Sequence, residues 1–215
     1  MVNIEDVYSY FSKDEFFTTE YYKLNLWYHG DITSLSYGDP EISMALVKKN
    51  KEFFRIHRNR NNESIKKKYL SEFDACHDFI LFDFLKDKIN DEAFRIELKQ
   101  RCFFDMHVTN IDSIDQIYNM FSLFGFPDKY ISSNKNPREN TIIVDAFSDK
   151  ITVDVVKNKR INICTLEGTL NQNSMLLWVM ACLFWKLMEY KQDLQNIGII
   201  GDDYLDSDIL SFVRI

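Results

Sequence analysis

The chain has 215 residues, of which 46% are hydrophobic and 15% aromatic, and it contains only 6 glycines and 3 prolines. This composition excludes a disordered or low-complexity chain, because enough apolar surface is present to build a sizeable core. The formal net charge of −7 disfavours general binding to nucleic acid, since the phosphates would be repelled.

The sequence also predicts a compartment. Its first residues, MVNIEDVYSYF, lack the basic and apolar regions of a signal peptide. The longest wholly apolar run, Met175 to Trp185, has 11 residues, whereas a membrane span needs about 20. The four cysteines form no C-x-x-C pair, and no glycine-rich phosphate loop is present. We therefore expect a soluble cytoplasmic protein with reduced thiols, no cofactor and no membrane association.

Helical patterns predominate in the N-terminal half. Asn3 is placed to cap a first helix, and alternation from Tyr22 to Tyr28 predicts a strand that turns at His29-Gly30-Asp31 into a hairpin. Asp39 followed by Pro40 predicts the start of a second helix, which would bury Ile42, Ala45, Leu46 and Phe53.

A polar break at residues 57–62 is followed by the longest predicted helix. Apolar residues recur at helical spacing from Ile65 to Leu85, and a shorter helix is predicted to restart near Asn90. Residues 1–101 are therefore expected to form a mostly helical region with one short hairpin.

The pattern changes from about residue 102. A strand over Phe103–Val108 is followed by a helix that Asp112 or Ser113 caps and Gly125 ends. Strands at 141–147, 151–156 and 161–166, a buried helix at 174–190 and a strand at 197–200 complete the chain. The expected class is α+β, an antiparallel meander packed on helices in an order like the split β-α-β plan. We expect residues 1–101 and 102–215 to pack as one compact unit.

The positive charge is concentrated in one segment. Residues 47–68 carry nine basic and two acidic residues, a net charge of +7, so the chain total of −7 leaves −14 on all other residues. Such a segment could contact phosphates, but the favoured interpretation is a solvated helix end and loop, or charge matching to the acidic remainder of the protein. The basic residues are Lys48, Lys49, Lys51, Arg55, Arg58, Arg60, Lys66, Lys67 and Lys68.

The three-strand meander predicts a row of polar side chains. If Asp149-Lys150 is a two-residue turn, Val144 lies opposite Val155, and Asp145 lies opposite Asp154. The third strand then places Asn162 beside Asp154. Opposed carboxylates repel unless solvent screens them or a cation lies between them. Solvent screening is favoured, and the alternative is a small metal-dependent phosphodiesterase or nuclease using Asp145 and Asp154.

Two further groups of potential metal ligands are weaker. Cys76-His77-Asp78 lies on the predicted long helix, where a histidine on the apolar stripe is more often a core residue than a ligand. Asp105 and His107 share one face of a predicted strand, and an ion pair is favoured there.

The C-terminal acidic stretch leads to the favoured function. Asp202, Asp203 and Asp206 surround Tyr204, and Asp208 is a candidate helix cap. A solvated loop is the simpler interpretation. The functional one is an acidic surface, with Tyr130 and Tyr204 as exposed anchors, for a basic protein partner such as a toxin or nuclease. The sequence thus favours a non-catalytic binding protein of inhibitor or immunity type.

Overall fold

The computed structural model describes residues 2–13, 23–38, 42–60, 62–107 and 110–215, without the side chains of residues 102–107. The fold is mixed α+β, which confirms the predicted class. The chain divides into two compact units, residues 1–88 with 191–204 and residues 89–190 with 205–215. The packing of residues 1–101 and 102–215 as one unit stays a prediction.

The first unit is built on a five-stranded antiparallel sheet in which each strand pairs with the next one along the chain. Helices precede and follow this meander. The elements are α1 (Ile4–Phe11), β1 (Asn25–His29), β2 (Ile32–Gly38), β3 (Ile42–Lys49), β4 (Glu52–Asn59), β5 (Asn62–Tyr69), α2 (Glu72–Asp78) and a π-helix (Phe79–Leu85).

The predicted cap and hairpin of this unit are confirmed. Asn3 Oδ1 accepts a hydrogen bond of 2.8 Å from the Asp6 N–H at the start of α1. Strands β1 and β2 form the hairpin, and Gly30 adopts a φ of 61° in its turn, a left-handed conformation that glycine adopts without strain.

Aromatic packing attaches the helices to one face of the sheet. The Tyr37 ring on β2 lies 4.9 Å from that of Phe84 and 5.7 Å from that of Phe79, both on the π-helix. Leu35 and Leu46, on the same face, are fully buried. A smaller cluster of Ala45, Val47 and Ile56 lies on the other face, so the central strands bury side chains on both faces.

The predicted helix over residues 40–53 is wrong, because Ile42–Asn59 form strands β3 and β4. Asn50 and Lys51 turn the chain between them with φ values of 51° and 65°. The predicted cap at Asp39 lies outside the described residues, as do Pro40 and residue 41.

The long helix predicted from Ile65 begins later than expected. Residues 62–69 form the edge strand β5, and Ser71 caps α2 through a hydrogen bond from the Asp74 N–H to its Oγ. The predicted restart near Asn90 is also wrong, because α3 runs unbroken from Lys86 to His107. The mostly helical N-terminal half is thus replaced by a sheet with helices on one face.

The second unit contains the predicted meander. Helix α4 (Ile114–Leu123) is capped by Ser113, and a 3₁₀ turn spans Asp128–Tyr130. Strands β6 (Thr141–Phe147), β7 (Lys150–Val156) and β8 (Arg160–Glu167) form the antiparallel three-stranded sheet. Helices α5 (Leu170–Asn196) and α6 (Asp206–Val213) follow, and residues 191–196 of α5 belong to the first unit.

Two predicted strands are absent from the described residues. Residues 103–107 continue helix α3, and residues 197–200 form turns and bends in which Ile199 and Ile200 are buried. The split β-α-β order is therefore wrong, since both flanking strands were needed for it. Among the described residues, no helix combines the length and apolar character that crossing a bilayer requires.

Candidate functional site

The β6–β7 hairpin has a different register from the predicted one. Phe147 pairs with Lys150, so the turn is Ser148-Asp149, and Ser148 adopts a φ of 57°. Asp145 consequently pairs with Thr152, two residues away from Asp154. The two carboxylates share a face but are not directly opposed, and the predicted pairing of Val144 with Val155 is also wrong.

The predicted neighbour of Asp154 is confirmed on the other side. Asn162 on β8 pairs with Asp154, and its Nδ2 donates a hydrogen bond of 2.7 Å to Asp154 Oδ1. A register shift between Val153 and Asp154 produces this arrangement, which aligns Val153 with Cys164 instead of Ile163.

A guanidinium group neutralises the acidic row. Arg160 donates from Nε to Asp154 Oδ2, and its Nη1 donates to Asn134 Oδ1. The Asn134 amide in turn donates to Asp145 Oδ2. Asp154 is only 5% exposed, so its charge depends on this partner. A metal ion bound between Asp145 and Asp154 would have to displace Arg160.

The basic segment of residues 47–68 is compensated mainly within the first unit. Among the described residues, carboxylates lie within 4 Å of five of its nine basic side chains. Their field is therefore reduced at the surface, and matching to acids outside the segment is confirmed for Lys48, Arg55 and Lys67. The pairs are Lys48 with Glu72, Arg55 with Asp83, Arg58 with Glu63, Lys67 with Asp78, and Lys68 with Glu52.

The Cys76-His77-Asp78 tripeptide forms hydrogen bonds with protein groups. Asp78 accepts hydrogen bonds from Lys67 Nζ at 2.6 Å and Tyr69 Oη at 2.9 Å. Burial alone would raise the pKa of Asp78, but hydrogen bonds from His77, Lys67 and Tyr69 outweigh it and hold that pKa well below its usual range. Across the described part of the chain, no three His, Cys, Asp or Glu side chains are arranged to hold a metal ion. The side chains of Asp105 and His107 lie outside the described residues.

The C-terminal acidic stretch does not provide the expected aromatic anchor. Tyr204 is 1% exposed, so its predicted exposure is wrong: the ring is part of the core. Asp203 pairs with Lys191 at 2.8 Å in the first unit, which leaves Asp202 as the exposed acid there. Tyr130 is half-buried with its ring edge-on to that of Phe184.

In the second unit, Asp206 and Asp208 form contacts at the first turn of helix α6. Asp206 lies 2.9 Å from Lys159 Nζ, and the Asp208 carboxylate accepts a hydrogen bond from the Leu205 N–H. Asp208 thus stabilises the first turn from inside the helix and is not its cap residue.

A candidate that the sequence did not single out lies at the β6–β7 turn. Phe147 is 85% exposed, and Asp149, two residues later, lines a cleft of about 770 Å³ together with Asp112. Both carboxylates are exposed, and neither forms an ion pair with a described residue. One signal could have found Phe147, since it shares the side-chain alternation of Asp145 and so belongs to the polar face. We call Phe147, Asp149 and Asp112 the hairpin surface.

Comparison of the chain with protein-family models, with curated proteins and with solved structures gave no match. The hairpin surface is therefore defined by its own geometry. It combines an exposed aromatic ring at the end of β6 with two exposed carboxylates that line the neighbouring cleft.

Proposed function

We propose that this chain is a cytoplasmic protein-binding module of inhibitor or immunity type that engages a basic protein partner, such as a toxin or nuclease. The observation that carries the proposal is the exposure of Phe147, at 85%, beside exposed Asp149, which forms no ion pair with a described residue. The three free cysteines of the described residues, Cys76, Cys164 and Cys182, support a reducing compartment.

The hairpin surface has the parts that protein interfaces use. A buried aromatic ring is a frequent energetic centre of an interface, and its removal costs about 2 kcal/mol or more when it is such a centre. Carboxylates around it attract a basic partner and speed the encounter, an effect that salt weakens. Phe147 would supply the first contribution, and Asp149 and Asp112 the second.

The internal pairing of the basic segment supports a protein partner over a phosphate-rich one. Pairing of Lys48, Arg55 and Lys67 with carboxylates outside the segment lowers its net charge from +7 to +4, which reduces the charge available for phosphates. The Arg160–Asp154 contact likewise favours a binding module over the alternative of a metal-dependent phosphodiesterase, because it occupies the carboxylate that such an enzyme would need.

Affinity capture from a lysate of the native host tests the proposal. Immobilised protein should retain a basic protein, and less of it as salt is raised, because the Debye length falls from about 10 Å at 0.1 M to about 3 Å at 1 M. Combining Phe147→Ala with Asp149→Asn should reduce the recovery at least tenfold, about 1.4 kcal/mol.

The matched control alters an exposed aromatic ring and an exposed acid in the first unit, through Tyr28→Ala and Asp31→Asn, and should recover the partner normally. Equal recovery of the partner with both double variants would exclude the hairpin surface as the binding site. Failure to capture any partner, together with stoichiometric divalent metal and phosphodiesterase turnover lost on Asp145→Asn, would decide for the enzyme.

A further inference from the structure

A cleft of about 1020 Å³ lies at strand β1 in the first unit. Its lining includes the two residues before β1 and the first three of the strand, residues 23–27. Successive side chains of a strand point to opposite faces of the sheet, so a cleft that touches Asn25, Leu26 and Trp27 alike extends around the edge of β1. Five extended residues span about 16 Å, which is the length of a short peptide strand.

The hairpin geometry determines which backbone groups of β1 point towards this edge. His29 closes a two-residue turn against β2, and such a closing pair exchanges both of its hydrogen bonds. Hydrogen-bonded pairs alternate along an antiparallel ladder, so Trp27 also bonds to β2. The N–H and C=O groups of Leu26 and Tyr28 therefore point away from β2, and no described strand pairs with them. Backbone groups of this kind are a template for a further strand.

The two walls of the cleft differ in character. Leu26 and, from α1, Tyr8 line it on the face that packs against the helices, where they offer apolar surface. Trp27 and, from β2, Ser36 line it on the opposite face. Ser36 is only 7% exposed, yet its hydroxyl forms no hydrogen bond with a described residue. A buried hydroxyl without a partner costs free energy, which an incoming polar group would recover.

The charges in the cleft distinguish its two ends. Arg58 and Glu63, on the wall formed by β4 and β5, pair with each other through a 2.7 Å contact from Nε to Oε1. Lys23 is exposed and has no carboxylate partner among the described residues. One uncompensated positive charge therefore lies just before β1. A strand antiparallel to β1 would have its C-terminal end there, so an acidic side chain at that end would be attracted.

We propose that the open edge of β1 binds an extended peptide segment of another protein as an added antiparallel strand with an acidic residue opposite Lys23. Hydrogen bonds to the backbone of Leu26 and Tyr28 provide affinity. Alternation provides specificity, because apolar side chains of the peptide face Leu26 and polar ones face Ser36. The site is separate from the hairpin surface and does not depend on the proposed function.

Fluorescence anisotropy of a labelled hexapeptide, with the full chain as titrant, tests the proposal. The probe has the order isoleucine, threonine, valine, threonine, valine and glutamate, and it is amidated so that glutamate supplies its one carboxylate. Its anisotropy should rise to saturation. N-methylation of the first valine should weaken binding at least tenfold, because that amide pairs with Leu26. N-methylation of the second threonine, whose amide points away from β1, should change the affinity by less than about twofold.

Charge-reversal variants locate the peptide in the cleft. Lys23→Glu should weaken binding of the probe about fivefold, the upper range for an exposed ion pair, and should favour a probe that ends in lysine. Lys49→Glu is the matched control, because it reverses an exposed lysine of the same sheet outside the lining of the cleft. The control should bind both probes as the wild type does.

The added strand has three ways to fail. Absence of saturable binding by the probe would overturn the proposal, and so would equal loss of affinity on the two N-methylations. A wild-type preference for the probe that ends in lysine would also overturn it. Analytical ultracentrifugation covers occupation by a second copy: a dimer that excess probe fails to dissociate would assign the edge of β1 to the protein itself and overturn the peptide site.

Discussion

Asp154 illustrates how one buried charge determines the chemistry of its surroundings. Sequence alternation places it in a row with Asp145, where repulsion is expected. Arg160, four residues after β7, instead reaches back to the carboxylate, and Asn162 occupies its second oxygen. Repulsion is thus replaced by an ion pair with additional hydrogen bonds.

Substituting Asp154 by Asn should therefore destabilise the protein by about 1–3 kcal/mol, because Arg160 loses the anion that buried Asp154 provides and the new amide places N–H groups against other donors. Urea unfolding monitored by circular dichroism measures the change. Asp149→Asn, at an exposed and unpaired site, should stay within about 0.5 kcal/mol of the wild type. An Asp154→Asn protein of greater stability would indicate a repulsive acidic row after all.

Residue roles that depend on local interactions were predicted correctly more often than those that depend on distant ones. Asn3, Ser113 and Gly125 were correctly assigned to helix ends, because capping depends on the next few residues. Alternation assigns Phe147 to the polar face, but the extent of its exposure and the burial of Tyr204 depend on how distant elements pack.

At the scale of elements, α5 is the centre of the second unit. Trp178 is fully buried against Phe121 and Phe124, and its Nε1 donates a hydrogen bond of 2.9 Å to the Ala93 carbonyl on α3. Phe184, two turns further along the helix, is also fully buried. The continuous apolar pattern of residues 175–185 therefore predicts this helix correctly, although it extends well beyond both expected ends.

Trp178→Ala should lower the free energy of unfolding by about 3–5 kcal/mol, through the cavity that it creates and the hydrogen bond to the Ala93 carbonyl that it removes. Thermal and urea unfolding of both proteins measure the effect. Trp27→Ala is the matched control, because Trp27 is 57% exposed and should contribute little to stability. An unchanged melting temperature for Trp178→Ala would mean that α5 is not the core of its unit.

Central strands explain the largest error of sequence interpretation. Strands β3 and β4 bury side chains on both faces, so their apolar residues no longer alternate with polar ones. Spacings such as Ile42, Ala45 and Leu46 then coincide with a helical stripe. Strands β6–β8 were recognised because short turns separate them. Their register was predicted wrongly because the β6–β7 turn lies one residue earlier than expected.

At the scale of the whole molecule, charge is largely balanced by contacts between elements. Basic strands face acidic helices in the first unit, and Arg160 and Lys159 meet Asp154 and Asp206 in the second. Exposed carboxylates such as Asp112 and Asp149 therefore contribute to the net charge of −7 at the surface. Composition gives the net charge but not these positions.

Burial also protects the described cysteines throughout the molecule. It raises the pKa of the Cys76 thiol to about 12, with help from Glu72, and raises that of Cys182 strongly. Cys164 is half-buried, and burial raises its pKa as well. Because the thiolate is the reactive form, native thiols of this kind should react slowly.

Labelling with a thiol reagent at about pH 8 should leave Cys76 and Cys182 unmodified in the native protein, since a thiol with a pKa of about 12 is ionised to only about one part in ten thousand. Peptide mass spectrometry assigns the label to each cysteine, and unfolding in guanidinium should make all of them reactive. Rapid native labelling of Cys76 would contradict its burial.

The two edge strands of the five-stranded sheet, β1 and β5, differ in how readily they would pair with a strand of another copy of the protein in a concentrated sample. Strand β5 carries Lys66, Lys67 and Lys68 and an irregular register against β4, which hinder a further strand from adding to it. Strand β1 carries no lysine, and its Trp27 and Tyr28 are 57% and 62% exposed. Among the described residues nothing pairs with its outer side. Slow self-association during storage should therefore start at β1, and a lysine in place of Trp27 would extend the shelf life of the protein.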